Sequence, residues 1–158
     1  MARRPQDLLH LLTRAERLSV RRVQSVLDEF DCSIEAWRVL DLLSDGDGHI
    51  MTALADHAFV PAPTLTKLID QLVDQNLVFR RVDPADRRRV LVQLTPRGMQ
   101  RWQRLSRAVR ADWGGVEPLL AEDEAEQLKT LLDQLAGALE GNGGVTTARA
   151  ERAVGRAR

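Results

Sequence analysis

Three consecutive arginines, Arg87, Arg88 and Arg89, close a seven-residue connector (residues 83–89) that opens on the turn dipeptide Asp83-Pro84. Arg80 and Arg81 precede it and Arg97 follows, against only Asp83 and Asp86 over the same span. A guanidinium is planar and always charged, so it can neutralise a phosphate or enter a narrow, electronegative minor groove. Asp86 stands two residues before Arg88, a spacing that predicts a hydrogen bond holding that side chain in one pose. A charge run alone is usually a solvated face. What argues otherwise is the segment upstream, where Pro63, Thr64, Thr66, Lys67, Asp70 and Gln71 lie off an apolar stripe of Leu65, Leu68, Ile69, Leu72 and Val73. Short polar side chains near a helix N-terminus reach base edges in a major groove. There Thr64 and Thr66 meet phosphate or a thymine methyl, and Lys67 meets phosphate or guanine.

The elements that must carry these side chains follow from pattern. Two β-branched runs, residues 78–82 and 90–94, flank the connector and predict a two-stranded ribbon with a cationic tip. The polar-faced helix begins at Thr64, after a turn over residues 58–63 whose Pro61 and Pro63 suit a helix's first turn. Thr52 reads as the cap of a brief helix over residues 53–57, and residues 49–51 as a short third strand. Ser33 caps a helix over residues 34–44, which ends at the Asp45-Gly46-Asp47-Gly48 turn.

Outside this unit the spacing is helical at both ends. Leu8, Leu11, Leu12, Ala15, Leu18, Val23, Val26, Leu27 and Phe30 recur through residues 6–30. Thr95-Pro96 opens a helix with Met99, Trp102, Leu105, Val109, Trp113 and Val116 on one side, and Gly114-Gly115 ends it. A last helix starts near Glu122 and carries Leu128, Leu131, Leu132, Leu135 and Leu139 until Gly141-Asn142-Gly143-Gly144. The class is mainly α with a minor β part. A helical region (residues 6–32 and 96–140) brackets a central region (residues 33–95), and residues 141–158 form a disordered, Ala/Arg-rich tail.

Asp83-Pro84-Ala85-Asp86-Arg87-Arg88, followed by Val90, Leu94-Thr95 and Gly98, resembles the wing signature of the MarR family of transcription regulators. Trp37 to Leu40, Ala53 to Ala55 and Thr64 to Leu72 are similar to that family's second, third and recognition helices, and the likeness spans roughly residues 8–140. The resemblance implies a winged helix-turn-helix, with long N- and C-terminal helices forming a dimerisation region. It makes Asp86 and Arg88 the wing pair, with Arg88 in the minor groove. It also implies release of DNA when a small, often aromatic or anionic, molecule enters a crevice.

The expected DNA contacts are Pro63, Thr64, Thr66, Lys67, Gln71, Asp86, Arg87, Arg88 and Arg89. For the effector, Arg14, Arg17, Arg21 and Arg38 could pair a carboxylate while Trp37 and Trp102 stack a ring. The two terminal seams cannot both be covered by one small winged unit, so they predict a homodimer on a pseudo-palindromic operator in double-stranded DNA.

At 158 residues the chain holds one domain with a real core, and the zero net charge cancels an arginine-rich stretch (residues 80–110) against an acidic one (residues 112–140). One cysteine, Cys32, predicts a reducing cytoplasm and no disulfide. No apolar run reaches membrane length and no signal peptide is recognised. No cofactor is expected. His10, His49, His57 and Cys32 lack ligand spacing, so no metal site is expected. No nucleophile elbow or phosphate loop appears, which excludes the common enzyme classes. Two alternatives remain open. One is a redox-responsive regulator using Cys32; the other is a winged-helix module for protein contacts, which calls for an acidic or apolar wing.

Overall fold

The computed structural model describes residues 7–154. The chain divides into two compact units, Met1–Asp112 and Trp113–Arg158. The first contains α1 (Leu8–Asp28), α2 (Ile34–Leu43), β1 (His49–Ile50), α3 (Met51–Ala58), α4 (Ala62–Asp74), β2 (Val78–Val82), β3 (Val90–Leu94) and nearly all of α5 (Pro96–Trp113). The second contains a 3-10 turn (Glu117–Leu119) and α6 (Glu122–Val154).

Local chemistry sets most of these limits. The Ser33 Oγ accepts the Ala36 N–H at 3.1 Å and caps α2, satisfying a donor the helix cannot. The Thr95 Oγ1 accepts the Gly98 N–H at 2.9 Å and caps α5, while its own hydroxyl bonds the Asn76 carbonyl at 2.7 Å. Phe59 ends α3 in the left-handed region, a conformation a large side chain adopts rarely. The loop between α1 and α2 is stitched by Gln24. Its amide N–H donates to the Cys32 carbonyl at 3.0 Å, and its oxygen accepts the Ile34 N–H at 2.9 Å.

The strands form one antiparallel sheet in the order β1-β3-β2, with Val78 opposite Leu94, Val82 opposite Val90, and His49 opposite Val92. Its inner face joins a core of Leu27, Leu40, Leu43, Leu54, Leu65, Ile69, Val92 and Leu105. Every helix of the first unit thus contributes a buried leucine or isoleucine, so α4 is held by one face and shows the other to solvent.

Three boundaries differ from the sequence expectations. Thr52 is not a cap: α3 begins at Met51 with Ile50 at the cap position, because pairing with β3 ends there and the chain turns straight into helix. The helix expected from Thr64 starts at Ala62, with Pro61 as cap and Pro63 in the first turn, so the preceding turn is shorter. The glycines at 141, 143 and 144 do not stop α6, which runs to Val154. Each helical glycine costs about 1 kcal/mol relative to alanine, a bias that does not forbid helix. Residues 155–158 of the expected tail lie outside the described residues.

Among the described residues no helix is long and apolar enough to cross a membrane. Large apolar side chains remain uncovered on the single chain. Leu8, Leu9, Leu11 and Leu18 are exposed on α1, and Leu128, Leu131, Leu132 and Leu139 on α6.

Candidate nucleic-acid interface

Burial sorts α4 into two sides. Leu65, Ile69 and Leu72 are buried, whereas Pro63, Thr64, Thr66, Lys67, Asp70 and Gln71 are all exposed. The Thr66 hydroxyl donates back to the Ala62 carbonyl at 3.1 Å, which leaves its methyl group and the oxygen's two lone pairs for a partner. Asp70 is ion-paired with Arg80 of β2, so the helix's exposed face is tied to the ribbon by a charge-assisted bond. A free carboxylate beside a duplex would repel phosphate; Arg80 removes that charge.

The connector between β2 and β3 is a built turn. The Asp83 N–H donates to the Arg89 carbonyl at 2.9 Å, and the Arg89 N–H to the Asp86 carbonyl at 2.9 Å. Both aspartate side chains are engaged by main chain: Asp83 Oδ1 accepts the Ala85 N–H at 2.9 Å and Asp86 Oδ1 accepts the Arg88 N–H at 3.0 Å. The expected hydrogen bond between Asp86 and Arg88 therefore exists, but with the backbone of Arg88 rather than its guanidinium. Asp86 shapes the loop that carries the arginine. Arg87, Arg88 and Arg89 all project into solvent.

The residues expected around a ligand are placed differently from one another. Arg14, Arg17 and Arg21 are exposed on α1, and Arg17 and Arg21 share an open groove with Glu16, Gln24 and Asp28. Arg14, Trp37, Arg38 and Trp102 are not part of that groove. The two tryptophans fasten α5 to α2: Trp102 Nε1 donates to Asp41 Oδ1 at 2.9 Å and Trp37 Nε1 to Ser106 Oγ at 3.2 Å. Arg38 lies over the ring of Phe59, 5.0 Å from its centroid, in the turn that leads into α4. Sequence reading passed over Asp41, Ser106 and Phe59, whose partners lie far along the chain. Ser106 is buried on α5, and nothing in its local pattern marked it.

Cys32 is half-buried and its thiol bonds the Ser33 carbonyl at 3.4 Å. Burial pushes the thiol above its ordinary value, while the nearby Arg101 charge and the Trp37 N–H act in the opposite direction and do not win. The thiolate needed for oxidation is thus disfavoured, which argues against the redox alternative.

Residues 30–89 match the family model described as "MarR family". The chain is similar to the HTH-type transcriptional regulator FarR of Neisseria gonorrhoeae, 26% identical over 125 residues, covering 79% of this chain and 86% of the relative. It is 24% identical over 129 residues to the HTH-type transcriptional repressor IacR of Pseudomonas putida, covering 82% and 77% of the two chains. The solved structure of a Mycobacterium tuberculosis MarR family protein in complex with salicylic acid superposes with a TM-score of 0.67 at 25% identity, over 82% of this chain and 96% of that one. With the three-stranded sheet, the capped helices and the arginine-tipped ribbon in place, the fold is that of the winged helix-turn-helix MarR regulators, and the family's model matches the part of the chain from residue 30 to residue 89.

Proposed function

We propose that the protein is a homodimeric, cytoplasmic repressor that binds a pseudo-palindromic operator and leaves it when a small aromatic or anionic molecule binds. The observation that carries the reading is the link between α4 and the ribbon. The exposed polar face of α4 is joined through Asp70 and Arg80 to a hairpin that ends in three exposed arginines. In this reading Thr64, Thr66, Lys67 and Gln71, led in by Pro63, enter the major groove. Arg88 enters the adjacent minor groove, and Arg87 and Arg89 meet phosphates on a loop shaped by Asp86.

The dimer is supported by the exposed leucines, one row on α1 and another on α6, since large apolar side chains left uncovered in rows call for a partner. Two-fold symmetry would set two α4 helices about one helical turn of DNA apart, near 10 base pairs. Repression is supported by the likeness to IacR, and an aromatic carboxylate effector by the likeness to the salicylic acid complex. Arg14, Arg17 and Arg21 supply cations for such a ligand, with Arg38, Trp37 and Trp102 as the other candidates.

The test is fluorescence anisotropy with a duplex from the intergenic region upstream of the protein's own gene. Tight binding that falls steeply with salt is expected, with Arg88→Ala weakening it by about 1–3 kcal/mol. Salicylate is the first ligand to titrate against the complex, and sedimentation equilibrium reads the dimer. A monomer indifferent to the duplex at low ionic strength would sink the reading and leave the protein-contact module in its place.

A further inference from the structure

One face of α5 presents Arg97, Arg101 and Arg104 at intervals of four and three residues, so all three guanidiniums lie along a single helical ridge. They line a crevice of about 540 Å³ together with Gln100 of the same helix, Asp31 from the α1–α2 loop and Gln75 from the α4–β2 turn. That size is in the range of a small-molecule site and far below what a macromolecule needs. The lining carries three permanent positive charges against one carboxylate, a surplus of two. None of the ion pairs among the described residues engages Arg97, Arg101 or Arg104; those pairs involve Arg22, His49, Arg80 and Lys129.

Arg101 is already positioned, because it donates to the Phe30 carbonyl just past the end of α1. Arg97 and Arg104 flank it, about 6 Å and 4.5 Å along the axis by helical rise. Two exposed arginines whose Cα atoms stand about 10 Å apart along the axis by helical rise, with a fixed one between, can converge by side-chain rotation on a ligand bearing two negative charges. The Gln75 and Gln100 amides add donors that suit carboxylate or phosphate oxygens. The loops opposite are shaped by left-handed residues, Asp31 with φ 51° and Asn76 with φ 56°.

We infer that this crevice is a binding site for a small organic or inorganic dianion, a dicarboxylate or a phosphate-bearing metabolite. It shares no residue with the α1 groove or with the other effector candidates, so it stands independently of the proposed function. A duplex backbone fits the position less well. The crevice lies where β2 begins and β3 ends, and the arginine tip is a full strand of five residues away, about 17 Å. A bound dianion would tie the C-terminal end of α4, through Gln75, to α5 and to the end of α1.

The test is isothermal titration and thermal unfolding of the full chain with inorganic phosphate and with succinate. Acetate and chloride at matched ionic strength serve as controls. The variants are Arg97→Gln/Arg104→Gln and the charge-conserving Arg97→Lys/Arg104→Lys; Arg101 is left in place because it holds Phe30. Expected is saturable binding of at least one dianion, tenfold or more weaker in the glutamine variant and largely kept in the lysine variant, with operator affinity unchanged in both. No saturable binding by the wild-type chain overturns the site, as does equal binding by wild type and the glutamine variant. A glutamine variant that binds operator more weakly with a flatter salt dependence, while dianions have no effect, assigns the arginines to duplex phosphates instead. Should the glutamine variant not fold, Arg104→Gln alone is read against the same two outcomes.

Discussion

The Leu77 carbonyl oxygen lies 1.9 Å from where a Cβ on Gly98 would stand, with the carbonyl carbon at 2.9 Å. The first turn of α5 is therefore pressed onto the backbone that enters β2. The same carbonyl accepts the Thr95 N–H at 3.0 Å and the Thr95 hydroxyl at 3.2 Å, so it cannot move aside without breaking the cap. Gly98→Ala should destabilise the fold by about 2–3 kcal/mol, because the obstruction is backbone rather than the end of a flexible side chain. At about 2–4 °C per kcal/mol for a chain of this size, Tm falls by about 4–12 °C. An unchanged Tm would show that the joint between α5 and β2 yields easily.

Asp86 acts on the Arg88 main chain, and this separates two substitutions. Asp86→Asn keeps an oxygen that can accept the Arg88 N–H, so operator affinity should be largely retained. Asp86→Ala loses the turn and should weaken binding by about 1 kcal/mol. Because the site is exposed, stability should move by less than about 0.5 kcal/mol in either variant. Equal losses of affinity in both would mean that the carboxylate charge grips the guanidinium in the complex.

Asp41 and Trp102 hold α2 and α5 together across 61 residues of sequence. Asp41→Ala leaves a half-buried indole N–H without its acceptor and should cost about 1–3 kcal/mol in urea unfolding. Asp41→Asn, which can still accept, should cost clearly less. In a double-mutant cycle with Trp102→Phe the two losses should not add, since each removes the same bond. Additive losses would place the effect in packing around the ring.

Asp45 contributes a pH-dependent part of stability. Its slight burial works to raise the carboxyl, but the Asp47 N–H and the His49 ring outweigh it, and the group sits below its ordinary value. His49 Nε2 is 2.6 Å from Asp45 Oδ2, and the Gln93 amide closes the same turn by donating to the Gly46 carbonyl at 2.9 Å. A lowered folded-state value means that the contribution is fully present above the unfolded value of about 3.9. It is lost as the pH falls through the native value below that. The stability difference between wild type and Asp45→Asn should therefore shrink only under acid conditions, below about pH 4, in urea titrations at stepped pH. A difference that vanished near neutrality would contradict the assignment.

Cys32 should react slowly. With its thiol raised by burial, alkylation by iodoacetamide at neutral pH should be severalfold slower than that of an unfolded-chain cysteine, and Cys32→Ala should bind operator as wild type does. Faster labelling than the unfolded reference, with peroxide-sensitive DNA binding abolished by Cys32→Ala, would restore the redox reading.

What could be read from residues alone was what neighbours in sequence decide. The strands at residues 78–82 and 90–94 stand where alternation and the Asp83-Pro84 turn put them, and Ser33 and Thr95 cap the helices that follow, since a cap acts within three residues. The exposed side of α4 likewise follows from its apolar period. Local rules failed where a second element intervened. Thr52 lost the cap position to Ile50 because β1 ends in a pairing with β3, and the glycines of α6 did not outweigh the helical residues on either side.

Tertiary structure decided everything that joins distant residues. Trp102 with Asp41, Trp37 with Ser106, Asp70 with Arg80 and Gly98 against Leu77 leave no trace in local pattern, because each partner would read as an ordinary polar, aromatic or small residue in its own helix or strand. The arginines at 97, 101 and 104 look in sequence like the solvated side of α5. Only the folding of two loops against that helix turns them into one lining of one crevice. A helix's period determines which side chains share a face, and long-range packing determines what that face meets.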